Sequence, residues 1–163
     1  IRDHCVTGVQ TCALPILLFS ILLISCDKRA VLDENIKLPE NNWESSNIVK
    51  LEADITDTVT PHNIYINVRN AGSYAYSNLF LFMNTYRPDG KKARDTVELM
   101  LADERGQWLG DGMGDIWDNR ILFKKDFKFP QTGKYRFELE QAMRINPLPG
   151  IMDVGMRIEK ADK

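Results

Sequence analysis

Asp111, Asp115 and Asp118 interleave with Gly110, Gly112 and Gly114 in the run Gly106-Gln107-Trp108-Leu109-Gly110-Asp111-Gly112-Met113-Gly114-Asp115-Ile116-Trp117-Asp118. Carboxylate and carbonyl oxygens on a bendable backbone are what a calcium ion takes. The spacing departs from the EF-hand pattern, however, and no glutamate closes the loop. Glycine clusters more often serve tight turns, and aspartates there more often accept local N–H bonds. No metal site is expected. The run reads instead as a recognition loop, with Trp108, Asp111 and Asp115 as candidate contacts beside a second loop, Ser73 to Ser77, that offers Tyr74 and Tyr76.

The aromatic residues Trp43, Trp108, Trp117, Tyr74, Tyr76 and Tyr86 have the composition of a platform for sugar rings. Large aromatics more often fill a core, and Trp108-Leu109, placed just after a turn, reads as an inward anchor. Paired carboxylates for glycoside hydrolysis must face each other across a cleft. Glu138 and Glu140 fall on one face of one strand among Arg136 and Arg157, which marks a solvated charge row. His4 and His62 are too few for an imidazole metal site or a Ser-His-Asp relay, unless His62 acts alone. Phosphate loops, nucleophile elbows and H-E-x-x-H helices are absent. The expectation is a protein that is not an enzyme, with no cofactor and no small-molecule substrate.

One thiol stands apart from the others. Ala13 to Ser25 is an uncharged apolar run of thirteen residues, too short for the ~20 that cross a bilayer but fitting a signal-peptide apolar region. Leu23-Ile24-Ser25-Cys26 follows at its end and resembles the lipobox of bacterial lipoproteins. A small residue gives the peptidase access to the bond between Ser25 and Cys26, and the thiol accepts diacylglycerol as a thioether. Two or three acyl chains make a stable anchor, since each buried CH₂ contributes ~0.8 kcal/mol. Residues 1–12 contain one acid, one base and no Met, unlike the opening of a signal peptide, and are read as a sequencing or assembly artefact. Cys5 and Cys12 therefore carry no functional argument. The remainder of the chain has no cysteine and can form no internal disulfide.

A net charge of −2, with 27% charged and 44% hydrophobic residues, is globular composition. It offers no support for a nucleic-acid partner or for long-range attraction to an anionic bilayer.

The elements that must position these residues are strands. Residues 26–46, polar and interrupted by Pro39 and Asn41-Asn42, are read as a lipidated, irregular tether, with Trp43 at the edge of the core. From there the apolar period is two. Val49, Leu51, Ala53 and Ile55 alternate with polar neighbours, as do Ile64, Ile66 and Val68, then Tyr135, Phe137 and Leu139, and finally Met152, Val154, Met156 and Ile158. Leu79 to Met83 is apolar on both faces, which predicts a central strand covered on both sides. Arg87-Pro88-Asp89-Gly90 is a turn leading to a hairpin partner over Arg94 to Leu101. A single helical turn is expected around Gln141 to Arg144. The sum is one domain over 47–163: all-β, an antiparallel β-sandwich, Ig-like or jelly-roll-like, of about seven or eight strands.

Several ordered segments resemble the gliding motility lipoprotein GldH family of Bacteroidetes. They are Cys26-Asp27-Lys28, Leu38-Pro39-Glu40-Asn41-Asn42-Trp43, Tyr65-Ile66-Asn67-Val68-Arg69-Asn70, Tyr76-Ser77-Asn78-Leu79-Phe80-Leu81, Gly106 to Gly110, Gln141 to Arg144 and Gly150 to Lys160. None is a catalytic motif, and the specificity lies in their order and coverage. The resemblance implies a cell-envelope lipoprotein of the gliding machinery, linked to type IX secretion, with Cys26 as the lipid-bearing residue and no activity or cofactor. Its expected partners are the membrane, through the anchor, and other gliding or secretion machinery proteins. The outer membrane is preferred over the inner as its location. The reading from a different class is a surface glycan-binding lipoprotein with a carbohydrate-module-like sandwich.

Overall fold

The computed structural model describes residues 29–161. The expected signal segment 1–25, the expected cleavage pair Ser25-Cys26 and lipid site Cys26, and Cys5 and Cys12 lie outside the described residues.

Eleven strands follow in order: β1 (Ala30–Lys37), β2 (Asn42–Trp43), β3 (Val49–Ile55), β4 (His62–Ala71), β5 (Asn78–Tyr86), β6 (Lys92–Met100), β7 (Asp111–Met113), β8 (Ile116–Phe127), β9 (Gly133–Gln141), β10 (Leu148–Pro149) and β11 (Ile151–Lys160). Three of them, β2, β7 and β10, are only two or three residues long. The eight longer strands match the expected seven or eight in number, but β1 is one of them and was expected as tether. All pairings are antiparallel, in a five-stranded sheet ordered β1-β11-β4-β8-β7, a four-stranded sheet ordered β3-β9-β5-β6, and the small β10-β2 pair.

Alternation builds the core between the two large sheets. On β3, Val49, Leu51, Ala53 and Ile55 are all buried and the residues between them exposed. They face Ile64, Ile66 and Val68 of β4 and Val154, Met156 and Ile158 of β11 within one apolar cluster. Period-two burial of this kind places half of each strand's side chains on the sandwich interior.

Four details differ from the sequence reading. The segment expected to be an irregular tether contains β1, paired with β11 from Ala30↔Glu159 to Lys37↔Asp153, and Leu38 and Trp43 are buried in the core. Asp33-Glu34-Asn35 breaks the apolar alternation there, and β1 is an edge strand held by its ladder to β11; tertiary pairing decides such strands more than propensity. Gln141 ends β9 instead of opening a helical turn, because its side-chain amide donates to the Ile145 carbonyl (3.2 Å) and its oxygen accepts the Met143 N–H (2.8 Å). β5 is central in its sheet, but among the described residues no second layer covers its outer face. Phe82 there is capped by the Arg94 guanidinium, 4.1 Å above its ring, and Phe80 is half exposed. Finally, Arg157 is on the opposite sheet from Glu138 and Glu140.

The sandwich has two unlike ends. At one end Ala30 meets Glu159, Lys160 meets His62, His62 meets Phe127, and Ile55 meets Gly133. Short connections over 56–61, 87–91 and 128–132 close it. At the other end Lys37 meets Asp153, Ala71 meets Ile116, and Asn78 meets Met100. The connections over 38–48, 72–77, 101–115 and 142–150 gather there.

Candidate functional site

The loops singled out by residue type come together at this second end. Tyr74 and Tyr76 make an edge-to-face pair (centroids 5.6 Å apart), Tyr74 lies 6.4 Å from Trp108, and Trp108 lies 6.5 Å from Trp117. Tyr74 is buried and donates its hydroxyl to the Asn78 carbonyl (3.0 Å); removal from water raises its pKa. It is the root of the cluster and not a contact surface. Tyr76, Trp108 and Trp117 are half-buried above it.

Glycine makes the stack possible at one position. A Cβ on Gly112 would fall 2.5 Å from the Trp117 ring, so β7 can lie flat beneath that indole only without a side chain. The β7-β8 hairpin is tied down from below by the buried Asn119, whose amide donates to Asn70 Oδ1 (2.9 Å) and to the Val68 carbonyl (3.2 Å). The Asp115 carbonyl accepts the Gly72 N–H (2.7 Å), joining the hairpin to the tyrosine loop. Asp111 and Asp115 are exposed.

The acids do not converge. Asp111 and Asp118 sit opposite each other across the hairpin, and Asp118 is committed to Arg69 through Nε (2.6 Å) and Nη2 (3.2 Å). Arg69 also donates to Asp153 (3.0 Å), and these bonds, the one to Asp118 first, raise its pKa. Among the described residues, no three His, Cys, Asp or Glu side chains gather at metal-holding distance.

This arginine belongs to a lattice that sequence reasoning missed. Cross-strand register lines up Lys37, Asp153, Arg69, Asp118 and Asp111 across the outer face of the five-stranded sheet. A neighbouring row is Asn35, Gly155, Asn67 and Arg120, in which Asn67 donates to Asn35 (3.1 Å). A third centres on Arg157, buried and hydrogen-bonded to Asp33 and Glu159. A shallow polar groove of about 410 Å³ runs over the first two rows. One signal was readable in advance: Gly155 interrupts a strand interior, and a Cβ there would fall 2.1 Å from the Glu34 carbonyl oxygen, so β1 can approach only a glycine.

Comparison with known proteins settles the lineage. The family model described as GldH lipoprotein matches residues 30–158. This chain belongs to the GldH lipoprotein family. It is 41% identical over 155 residues to the "Gliding motility lipoprotein GldH homolog" of Christiangramia forsetii, covering 90% of this chain and 94% of that one. It is 36% identical over 154 residues to the "Gliding motility lipoprotein GldH" of Flavobacterium johnsoniae, covering 90% and 95%. Among solved structures, a chain in the structure of infectious bursal disease virus Gx strain aligns with a TM-score of 0.27 and 12% identity, over 79% of this chain and 29% of that one; a likeness so low carries no argument.

In this GldH chain the aromatic residues do not form one exposed row. Trp43 is wholly buried, with its indole N–H donated to the Asn47 carbonyl (2.9 Å), and Tyr86 sits at the opposite end of the sandwich, donating to Glu138 (2.9 Å). Glu138 and Glu140 lie along β9 on the outer face of the four-stranded sheet, paired with Arg136 (3.5 Å) and Arg94 (3.6 Å), and no cleft separates them. The end that gathers the Tyr74 and Trp108 loops differs from that face. What the GldH fold does present there is apolar: Met100, Leu109, Met113 and Ile145 are 48%, 60%, 84% and 46% exposed. Two open grooves adjoin them, one between Met100 and Ile121 and one between Tyr76, Phe80 and Met143.

Proposed function

We propose that this chain is a non-catalytic, cell-envelope lipoprotein of the gliding motility machinery, anchored by acylation of Cys26 after cleavage behind Ser25. It acts by binding other machinery components, in the apparatus tied to type IX secretion, from the outer membrane. The observation that carries this reading is the concentration of exposed Met100, Leu109, Met113 and Ile145 at the end where the Tyr74 and Trp108 loops meet. Exposed apolar patches rimmed by polar groups mark protein contact sites, and Asp111 and Asp115 supply such a rim. Loops on a rigid β scaffold are the usual carriers of recognition.

The test is crosslinking in living cells from a photoreactive residue at Met113, followed by mass spectrometry. The expected result is capture of envelope proteins of the motility apparatus, lost when Met100→Glu/Leu109→Glu is added to the same photoreactive protein, a variant that on its own also fails to spread on a surface. Normal spreading by a deletion strain, or by a strain carrying Cys26→Ala, would remove the reading.

A further inference from the structure

The fold shortens the distance between anchor and domain. β1 begins at Ala30 and its ladder to β11 starts there, so three residues, four residue steps, separate Cys26 from a paired strand. Fully extended, four steps span at most about 14 Å. A domain on a tether of twenty residues would wander far from the bilayer. This one, if Cys26 is acylated as proposed above, is held with one particular end against it.

That end has a composition unlike the rest of the molecule. It contains the start of β1, the end of β11 and the connections 56–61, 87–91 and 128–132. Arg29, Lys91, Lys125, Lys128 and Lys160 are exposed there. Two of its acids, Asp57 and Asp89, are bonded locally, while Asp54 and Asp126 stand exposed among the more numerous basic side chains. Asp57 accepts the N–H groups of Val59 (2.9 Å) and Thr60 (3.0 Å) and lies 3.5 Å from Lys160; Asp89 accepts the Lys91 N–H (3.0 Å) and its ammonium (3.2 Å). Lys125 and Lys128 make no ion pair among the described residues. The same Asp57 bonds shape a loop that holds Val59 outward, 79% exposed, at the tip. The far end is the reverse: Glu40, Glu44, Asp103, Glu104, Asp111 and Asp115 lie in its loops against two cations, Arg105 and Arg144.

A net charge near zero therefore conceals a polar molecule. We infer that the end bearing Arg29, Val59, Lys125, Lys128 and Lys160 rests on an anionic bilayer surface, which orients the acidic, aromatic end away from the membrane. Basic side chains held within a Debye length, ~8–10 Å, of anionic headgroups are attracted by them. An apolar tip among such residues enters the headgroup boundary. The short anchor supplies the proximity and the charge supplies the orientation.

This inference rests on the anchoring reading, and the experiment separates the two. The acylated full-length protein is reconstituted into vesicles of phosphatidylcholine alone or with phosphatidylglycerol, and its amines are labelled with an acylating reagent and quantified by mass spectrometry. Lys125 and Lys128 are expected to lose reactivity several-fold relative to detergent only when phosphatidylglycerol is present, with high salt reversing the effect and Lys37 unchanged. Inserting about twenty Gly/Ser residues between Lys28 and Arg29 is expected to restore most of the reactivity. Lysines as reactive in anionic vesicles as in detergent would overturn the inference while leaving the anchor intact. Protection that appears only in native membranes would overturn it in favour of a protein surface. Absence of acyl chains from Cys26, read from the intact mass, would remove the anchoring reading itself and this inference with it.

Discussion

The two ends of the sandwich are made from the same strands yet offer different surfaces. Where β3 passes into β4, β5 into β6 and β8 into β9, five or six residues bridge each gap and their hydrogen-bonding groups are used within the loop, as at Asp57 and Asp89. Where β4 passes into β5 and β6 into β7, the chain is longer or folds back on itself, and apolar side chains such as Leu109 and Met113 stay in water. Leu109 and Met113 lie where the chain exceeds what closing the sandwich needs, whereas at the tight end Val59 is held out at the tip of a six-residue loop. The tight end offers basic side chains around one apolar tip, and the loose end a broader apolar area among acids.

The largest effect expected from breaking this contrast is at Trp43. It is the biggest fully buried side chain and belongs to the core, so Trp43→Ala should cost ~3–5 kcal/mol in urea unfolding. A loss below ~1 kcal/mol would place the indole outside the core and return it to the aromatic surface. Smaller and local is Gly112→Val, whose side chain would strike the Trp117 ring. Overpacking of this kind costs ~1–3 kcal/mol. The variant should unseat the β7-β8 hairpin and lower partner capture while the lysines of the opposite end keep their membrane protection, which would show that the two ends work separately.

The smallest effect lies at the tight end, on His62. It is buried, with Nδ1 unpaired and its ring edge-on to Phe129 (5.4 Å). Burial, and after it Lys160, holds its pKa below the usual 6.5, against the attraction of Asp57. Because the folded state resists protonation, this stability is complete above pH 6.5 and is lost as pH falls through the lower folded value. Tm should decline over that window, and His62→Phe should flatten the decline. Acid losses from Asp57, whose pKa is held down first by the Thr60 hydroxyl, begin only below its ordinary 3.8 and so fall outside it.

Much of the fold was legible because a half-buried strand must alternate. Val49 to Ile55 and Ile64 to Val68 announce their faces without any partner in view. β1 was not legible, since Asp33, Glu34 and Asn35 look like linker until Arg157 and Asn67 stand beside them. The structure brings the candidate loops together and buries Tyr74, and a tyrosine in a loop does not reveal whether its hydroxyl will find Asn78 or solvent. Arg69 went unremarked because its meaning depends on Asp118 and Asp153, which are 49 and 84 residues away.

By itself the sequence determined the strand pattern and the apolar faces, since both are properties of neighbours along the chain. It also determined the lipobox-like run before Cys26. Only the tertiary structure decided which charges stand together and how early in the chain the paired strands begin, at Ala30. Coulomb attraction and strand pairing depend on distance in space, and only the folded chain brings β1 beside β11.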